Sequence, residues 1–257
     1  MACGLLVAAC RSSEGDACPV TSRFGSVDLT VTHVKVAFGA GGKDVETHVV
    51  VGFGDSFSKS AATTNASVDD GLNGDPLCGG TGAAWKSAGN VTISASGKPD
   101  VVVPHDERVP YTGYGPRMDR GAQWAEGDVL SVRGAGGELP SFFASVEFPT
   151  DLTITEPAGF VDDATIPVAV GPLTLAWTPG VGDVIATIGG IATTFPAAAG
   201  HGTIPATAIE AARTSAGGAP STALLLVDSQ SLAFVDAGEY RVAVRARVER
   251  RVTLQIR

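Results

Sequence analysis

Tyr240-Arg-Val-Ala-Val-Arg-Ala-Arg-Val-Glu-Arg-Arg-Val-Thr-Leu-Gln-Ile256 alternates with a period of two. Tyr240, Val242, Val244, Ala246 and Val248 share one face, and Arg241, Arg245 and Arg247 share the other. Successive side chains of an extended chain point to opposite sides, so the pattern predicts a half-buried strand and not a helix. The apolar face breaks at Glu249-Arg250 and resumes with Val252, Leu254 and Ile256. Two strands, or one long strand interrupted at Glu249-Arg250, account for the run. Six arginines fall within the last 17 residues, and they are expected on an exposed strand face or a charged edge that discourages aggregation.

The same alternation recurs upstream. Val27, Leu29 and Val31 fall on one face, and Val34, Val36 and Phe38 continue in the opposite phase. That one-residue slip near Thr32-His33 predicts a bulge or a corner between sheets. Further strands are expected at 45–53, 90–94, 100–103, 129–133, 142–148, 152–155, 166–170, 173–177, 184–188, 192–195 and 224–227. Gly, Pro, Asn and Asp punctuate nearly every gap between them. Only Pro205–Arg213, Ala-rich with Pro205 near its start, reads as a helix. Many short strands with one helix predict an all-β fold of packed sheets. The expected division is two β-sandwich-like domains, 22–149 and 150–257, meeting near Pro149-Thr150. The second suits an immunoglobulin-like sandwich with Trp177 in its core.

Composition excludes several function classes. Eighteen Lys+Arg against 27 Asp+Glu give a formal net charge of −9 in 257 residues, which argues against a general nucleic-acid binder. A hydrophobic content of 44% is ample for a collapsed core and argues against disorder. No apolar run approaches the roughly 20 residues that a helix needs to span a bilayer.

At the amino end, Leu6-Val-Ala-Ala-Cys10 resembles the lipobox of bacterial lipoproteins. The resemblance implies cleavage before Cys10, residues 1–9 as a truncated signal, acyl chains on Cys10 and a tether over residues 10–21. Arg11 follows the cysteine in place of a retaining aspartate, which implies the outer membrane, with the chain facing the periplasm or the surface. If Cys3 leaves with the signal and Cys10 carries lipid, Cys18 and Cys78 remain as one pair. In an oxidising compartment the simplest state of that pair is a disulfide; two free thiols are the alternative. Without a Cys-x-x-Cys, a thiol-redox site or a structural zinc site has no support. A second resemblance covers most of residues 120–257. Gly127–Phe143, Leu173-Thr-Leu-Ala-Trp-Thr-Pro179 and Thr194–Pro205 are similar to uncharacterised myxobacterial-type lipoproteins, implying a secreted, lipid-anchored β-protein with no catalytic residues to carry over.

Three constellations carry candidate chemistry. Val49-Val-Val-Gly-Phe-Gly-Asp-Ser56 resembles the first block of the Gly-Asp-Ser-Leu hydrolases, implying Ser56 as a nucleophile toward an ester. Such a serine needs a histidine base, an orienting acid and oxyanion donors. No Asp-x-x-His pair occurs, and that family needs an α/β scaffold, so a strand followed by a polar turn explains the segment and no catalysis is expected. Asp69, Asp70, Asn73 and Asp75 place four oxygen-bearing side chains in a Gly-containing loop that suits calcium. The spacing is not that of an EF-hand, and Asp and Asn in a turn satisfy their own backbone, so no cofactor is expected. Trp85, Tyr111, Tyr114 and Trp124 lie in or beside Gly/Pro-rich stretches, where aromatics stack on sugar rings or anchor a protein, with His105-Asp-Glu-Arg108 adjacent as polar contacts. The expected function is a lipid-anchored binding or structural module of the cell envelope whose protein or glycan partner is open. A secreted or surface carbohydrate-binding module is the alternative.

Overall fold

The computed structural model describes residues 22–35, 43–56, 84–109, 112–215 and 221–257. Its backbone is organised around the carboxy-terminal alternation. Tyr240–Ile256 forms one uninterrupted strand, β16, with Val242, Val244, Ala246, Val248, Val252, Leu254 and Ile256 buried on one side. Arg250 occupies the inward position between Val248 and Val252, so the apparent break is a charged residue in phase and not a change of strand.

Both edges of β16 are used. Ser221–Ala237 (β15) pairs antiparallel with it along the full length, from Ser221 opposite Ile256 to Ala237 opposite Tyr240. On the other edge, Ser22–Lys35 (β1) runs parallel to residues 241–249, and Thr165–Val168 (β10) runs parallel to residues 253–256. Lys43–Ser56 (β2) pairs with β1 from Ser22↔Ser56 to Lys35↔Lys43. The expected slip near Thr32-His33 is absent among the described residues: the register with β2 is continuous, because that pairing fixes the phase of the whole strand. Ala84–Trp85 (β3) and Arg117–Arg120 (β6) extend the outer edge of β2. Asp183–Ile188 (β12) and Ile191–Pro196 (β13) extend the sheet beyond β15.

Two covering layers close this nine-stranded sheet. Over one end lies a four-stranded sheet of Val101–Val103 (β5), Val91–Ser94 (β4), Val129–Gly134 (β7) and Phe142–Glu147 (β8). Between them sit Val27, Leu29, Phe53, Ile93, Leu130, Phe142 and Val244. Over the other end lie His201–Ile204 (β14), Leu173–Trp177 (β11) and Ile154–Glu156 (β9), with the helix Ala206–Ser215 (α1). That core contains Leu175, Trp177, Val184, Ile188, Ile209, Leu225 and Leu254. The indole of Trp177 is buried and donates to the Ala197 carbonyl at 2.8 Å. The protein is therefore all-β and sandwich-like with one short helix.

The division at Pro149-Thr150 separates the covering layers and does not separate the sheet beneath them. Ala237, Val242, Val244, Ala246 and Val248 belong to the first core although they follow residue 150. The two units share β15 and β16 because each strand is 17 residues long, about 56 Å at 3.3 Å per residue, enough to floor two cores in series.

The arginine face of β16 also departs from expectation. β16 is an interior strand, so its arginines guard no edge and instead pair across strands. Arg245 lies 3.3 Å from Asp28, and Arg247 donates through Nε to Thr30 Oγ1 at 2.7 Å. At the seam, Arg250 binds Asp162 through Nε and Nη2, reaches Asp151 at 3.2 Å and donates to the Leu152 carbonyl.

Candidate functional site

Gly52-Phe-Gly54 on β2 positions the strand that carries Trp85. Phe53 points into the first core, so both glycines face the opposite side of the sheet, where they present bare backbone. β3 pairs there, with Trp85 opposite Gly54 and the Lys86 N–H donating to the Phe53 carbonyl at 2.9 Å. A Cβ on Gly52 would stand 3.4 Å from the indole and 3.6 Å from the Thr112 methyl, so both side chains pack directly over this backbone.

The facing wall is the loop after β5. His105 bridges Tyr114, and the Asp106 N–H donates to the Gly113 carbonyl at 2.8 Å, which closes the loop on itself. The carboxylate of Asp106 accepts from the Arg108 backbone N–H at 3.0 Å and from its guanidinium at 2.7 and 2.9 Å. Those bonds to Arg108 pull the acid down to about 2. Gly113 has φ +71°, and a side chain there would collide with the His105 ring. His105 in turn stands edge-on to Tyr114, with ring centroids 5.2 Å apart.

Tyr114 ties the two walls together. Its hydroxyl accepts from the Ala88 N–H and donates to the Gly89 carbonyl, both at 2.8 Å. Burial pushes this phenol above its ordinary range, so it remains a neutral donor. Glu138, from the β7–β8 connection, accepts from the Ser87 N–H at 2.9 Å and from Lys86 Nζ at 3.2 Å. The Ser87 N–H, then Lys86, hold its carboxyl below the ordinary range. Glu138 is thus a fixed anion, unsuited to donate a proton near neutrality.

Between these walls lies a cleft of about 300 Å3 lined by Trp85, Lys86, Ser87, His105, Glu107 and Glu138, with Val109, Thr112 and Gly113. A partly exposed indole beside fixed polar groups suits a small polar ligand with an apolar face. Ser87 Oγ accepts the Gly89 N–H at 3.1 Å, and among the described residues no histidine is hydrogen-bonded to it.

Of the four aromatics singled out from the sequence, the structure places Trp85 at the cleft. Tyr114 and Trp124 are each only 3% exposed, and this corrects the expectation that both present a stacking surface. Trp124 packs on Phe148, with centroids 6.0 Å apart, because the first core recruits its aromatics from the loops at its rim. Tyr111 lies outside the described residues, as do Cys10, Cys18, Cys78, Asp69, Asp70, Asn73 and Asp75. Ser56 ends β2 opposite Ser22. His48 stands eight residues back on the same strand, about 26 Å away at 3.3 Å per residue. His33 pairs with Val45, farther still along β2, and His201 belongs to the second core's cover. Among the described residues no group of three or more His, Cys, Asp or Glu side chains is placed to hold a metal.

Sequence reasoning missed Lys86, Ser87, Thr112, Gly113 and Glu138. The available signal was Gly52-Phe-Gly54, an alternation that leaves one strand face bare. No family model, curated protein or solved structure matches the chain. Among the described residues no helix is long and apolar enough to cross a membrane.

Proposed function

We propose that the protein is a non-catalytic binding module of the cell envelope that takes a saccharide in the Trp85 cleft. The observation that carries this is the cleft itself: a partly exposed indole, packed against Gly52 of β2, faced by His105, Glu107 and Glu138. Sugars offer an apolar ring face to an aromatic and hydroxyls to fixed polar groups, and the wall supplies both. The bonds of Tyr114 and Glu138 fix the wall before any ligand arrives, which lowers the ordering cost of binding. The lipobox-like run ending at Cys10 supports attachment to the outer membrane through lipid, with the cleft displayed on a tethered domain.

A glycan array probed with wild type and Trp85→Ala tests the binding. The expected result is a specific glycan signal that the variant loses while its circular dichroism is unchanged. A signal that survives in the folded variant overturns the assignment. Trp124 and Trp177 are buried, so quenching of tryptophan fluorescence by an aqueous quencher reports chiefly on Trp85, and ligand should protect it. For the anchor, Cys10→Ser should release the protein from the membrane fraction; unchanged sedimentation would remove lipidation.

A further inference from the structure

The charges that line the cleft do not cancel. Lys86 is spent on Glu138, at 3.2 Å, and Glu138 is further held by the Ser87 N–H. Asp106, just outside, is neutralised by the two-pronged grip of Arg108. Glu107 is exposed at the cleft and has no hydrogen-bond or ion-pair partner among the described residues. Among Lys86, Glu138 and Glu107, the charged groups of the lining, one negative charge is therefore left uncompensated, on Glu107. It stands in the same lining as the partly exposed Trp85, whose ring quadrupole also attracts cations.

An indole face and a free carboxylate around one small cleft are the two elements that recognise an organic ammonium. The carboxylate gives a charge-assisted hydrogen bond, and the ring receives the adjacent C–H face and the cation's field. An anionic ligand would meet the opposite: it would have to displace Glu138 from Lys86 and tolerate Glu107. A neutral sugar would fill the cleft and leave the Glu107 charge without a counterpart.

We propose that the Trp85 cleft selects saccharides bearing a free primary amine, with Glu107 as the group that reads the ammonium. This rests on the saccharide-binding role assigned above and adds the ligand's charge. Three soluble tetrasaccharides of equal length separate the possibilities: the β-1,4 tetramer of glucosamine, its fully N-acetylated form, and cellotetraose. Calorimetric titration of wild type at low salt and neutral pH, where a substantial share of the amine is protonated, should give the glucosamine tetramer about tenfold tighter binding than the other two. This is the scale of one charge-assisted hydrogen bond. In Glu107→Gln, a side chain of the same size at an exposed position, that preference should collapse to about unity. Trp85→Ala should weaken the glucosamine tetramer at least tenfold.

Equal affinity for all three oligomers, lost in Trp85→Ala, would overturn the charge selection and leave the saccharide cleft standing. A preference for the amine that persists undiminished in Glu107→Gln would overturn the role of Glu107. Binding of none of the three, together with binding of a lysine-rich peptide sensitive to Glu107→Gln, would overturn the saccharide ligand in favour of a cationic protein segment.

Discussion

At the end of the shared sheet that bears Phe53 and Val244, the cover is a second sheet and the core is rich in rings. Phe53 contacts Tyr114 and Phe142, each at 5.7 Å between centroids, and Trp124 leans on Phe148. At the end that bears Leu225 and Leu254, the cover is three strands and α1, and the core is mostly aliphatic, with Phe160 and a Trp177–Phe195 pair as its aromatics. The helix seats closely there: a Cβ on Gly189 would stand 2.9 Å from Ala212 Cα. One sheet thus floors two cores of different character. A helix packed on small residues fills its own margin. A covering sheet sends its connections over the rim, and described parts of two of them, 104–109 with 112–114 and 135–141, form the walls of the cleft. The elements that line the cleft follow the kind of cover, although the strands beneath are continuous.

The sharpest way to break this arrangement is at the join. Arg250 is 15% exposed and Asp162 only 2%, so removing the guanidinium strands a buried carboxylate. Arg250→Ala should cost about 3–5 kcal/mol, the usual scale for breaking one partner of a buried pair. Denaturant unfolding at neutral pH should show both cores losing stability in one transition. A loss below about 1 kcal/mol would show that the cores are not joined through this pair.

Asp228 makes the opposite case, a group whose ionised form costs stability. Burial raises it from 3.8 to about 6; Glu249 across the strand pair adds to this, against Arg247 and Arg245. One of its carboxylate oxygens is buried without a hydrogen-bond partner. The folded protein retains this proton up to about pH 6, whereas the unfolded chain releases it near 3.8. Stability from this group is therefore complete below about pH 4 and is lost as pH rises to 6. The shift of roughly two pH units corresponds to about 3 kcal/mol at neutral pH. Asp228→Asn should recover up to that amount at pH 7 and change little at pH 4. Equal effects at both pH values would exclude titration of Asp228 as the cause.

A smaller perturbation sharpens the contrast between the covers. Tyr114→Phe leaves the Ala88 N–H and the Gly89 carbonyl without their partner, at a cost of about 1–3 kcal/mol. Amide exchange should quicken at Ala88 and Asp106 and stay unchanged at Leu175 and Trp177. Loss of protection at both ends would mean that the covers open together. Smallest of all, Arg108→Ala should leave the thermal midpoint unchanged, because its pair with Asp106 is within one exposed turn and the side chain is 89% exposed. A measurable drop would show that the Asp106 turn braces the cleft wall.

How much was legible beforehand differs between strands and site. Leu173–Trp177 and Val129–Gly134 alternate cleanly and were predicted nearly to the residue, since period-two burial is a property of the strand itself. Asp228-Ser-Gln-Ser231 defeated the pattern: the strand expected to end at Val227 continues to Ala237. The backbone of β16 opposite supplies its hydrogen bonds irrespective of side-chain polarity. Arg117–Arg120 has no apolar face at all and is a strand because the edge of β2 is there to receive it. At the cleft, Trp85 was visible as a residue type, but Lys86 and Glu138 are 52 positions apart and nothing local relates them.

The amino-acid sequence by itself determined that this is an all-β protein with one short helix, because alternation, turn residues and a lone Ala-rich segment encode local geometry. It also determined which side of most strands is buried, since apolar surface leaves water wherever the chain turns it inward. Only the tertiary structure decided that two cores share one sheet, that Tyr114 and Trp124 face inward, and that Glu107 is left unpaired beside Trp85. Those outcomes depend on which strands meet and which charges neutralise each other. Pairing across long sequence separations is settled by the whole fold, which one segment cannot specify.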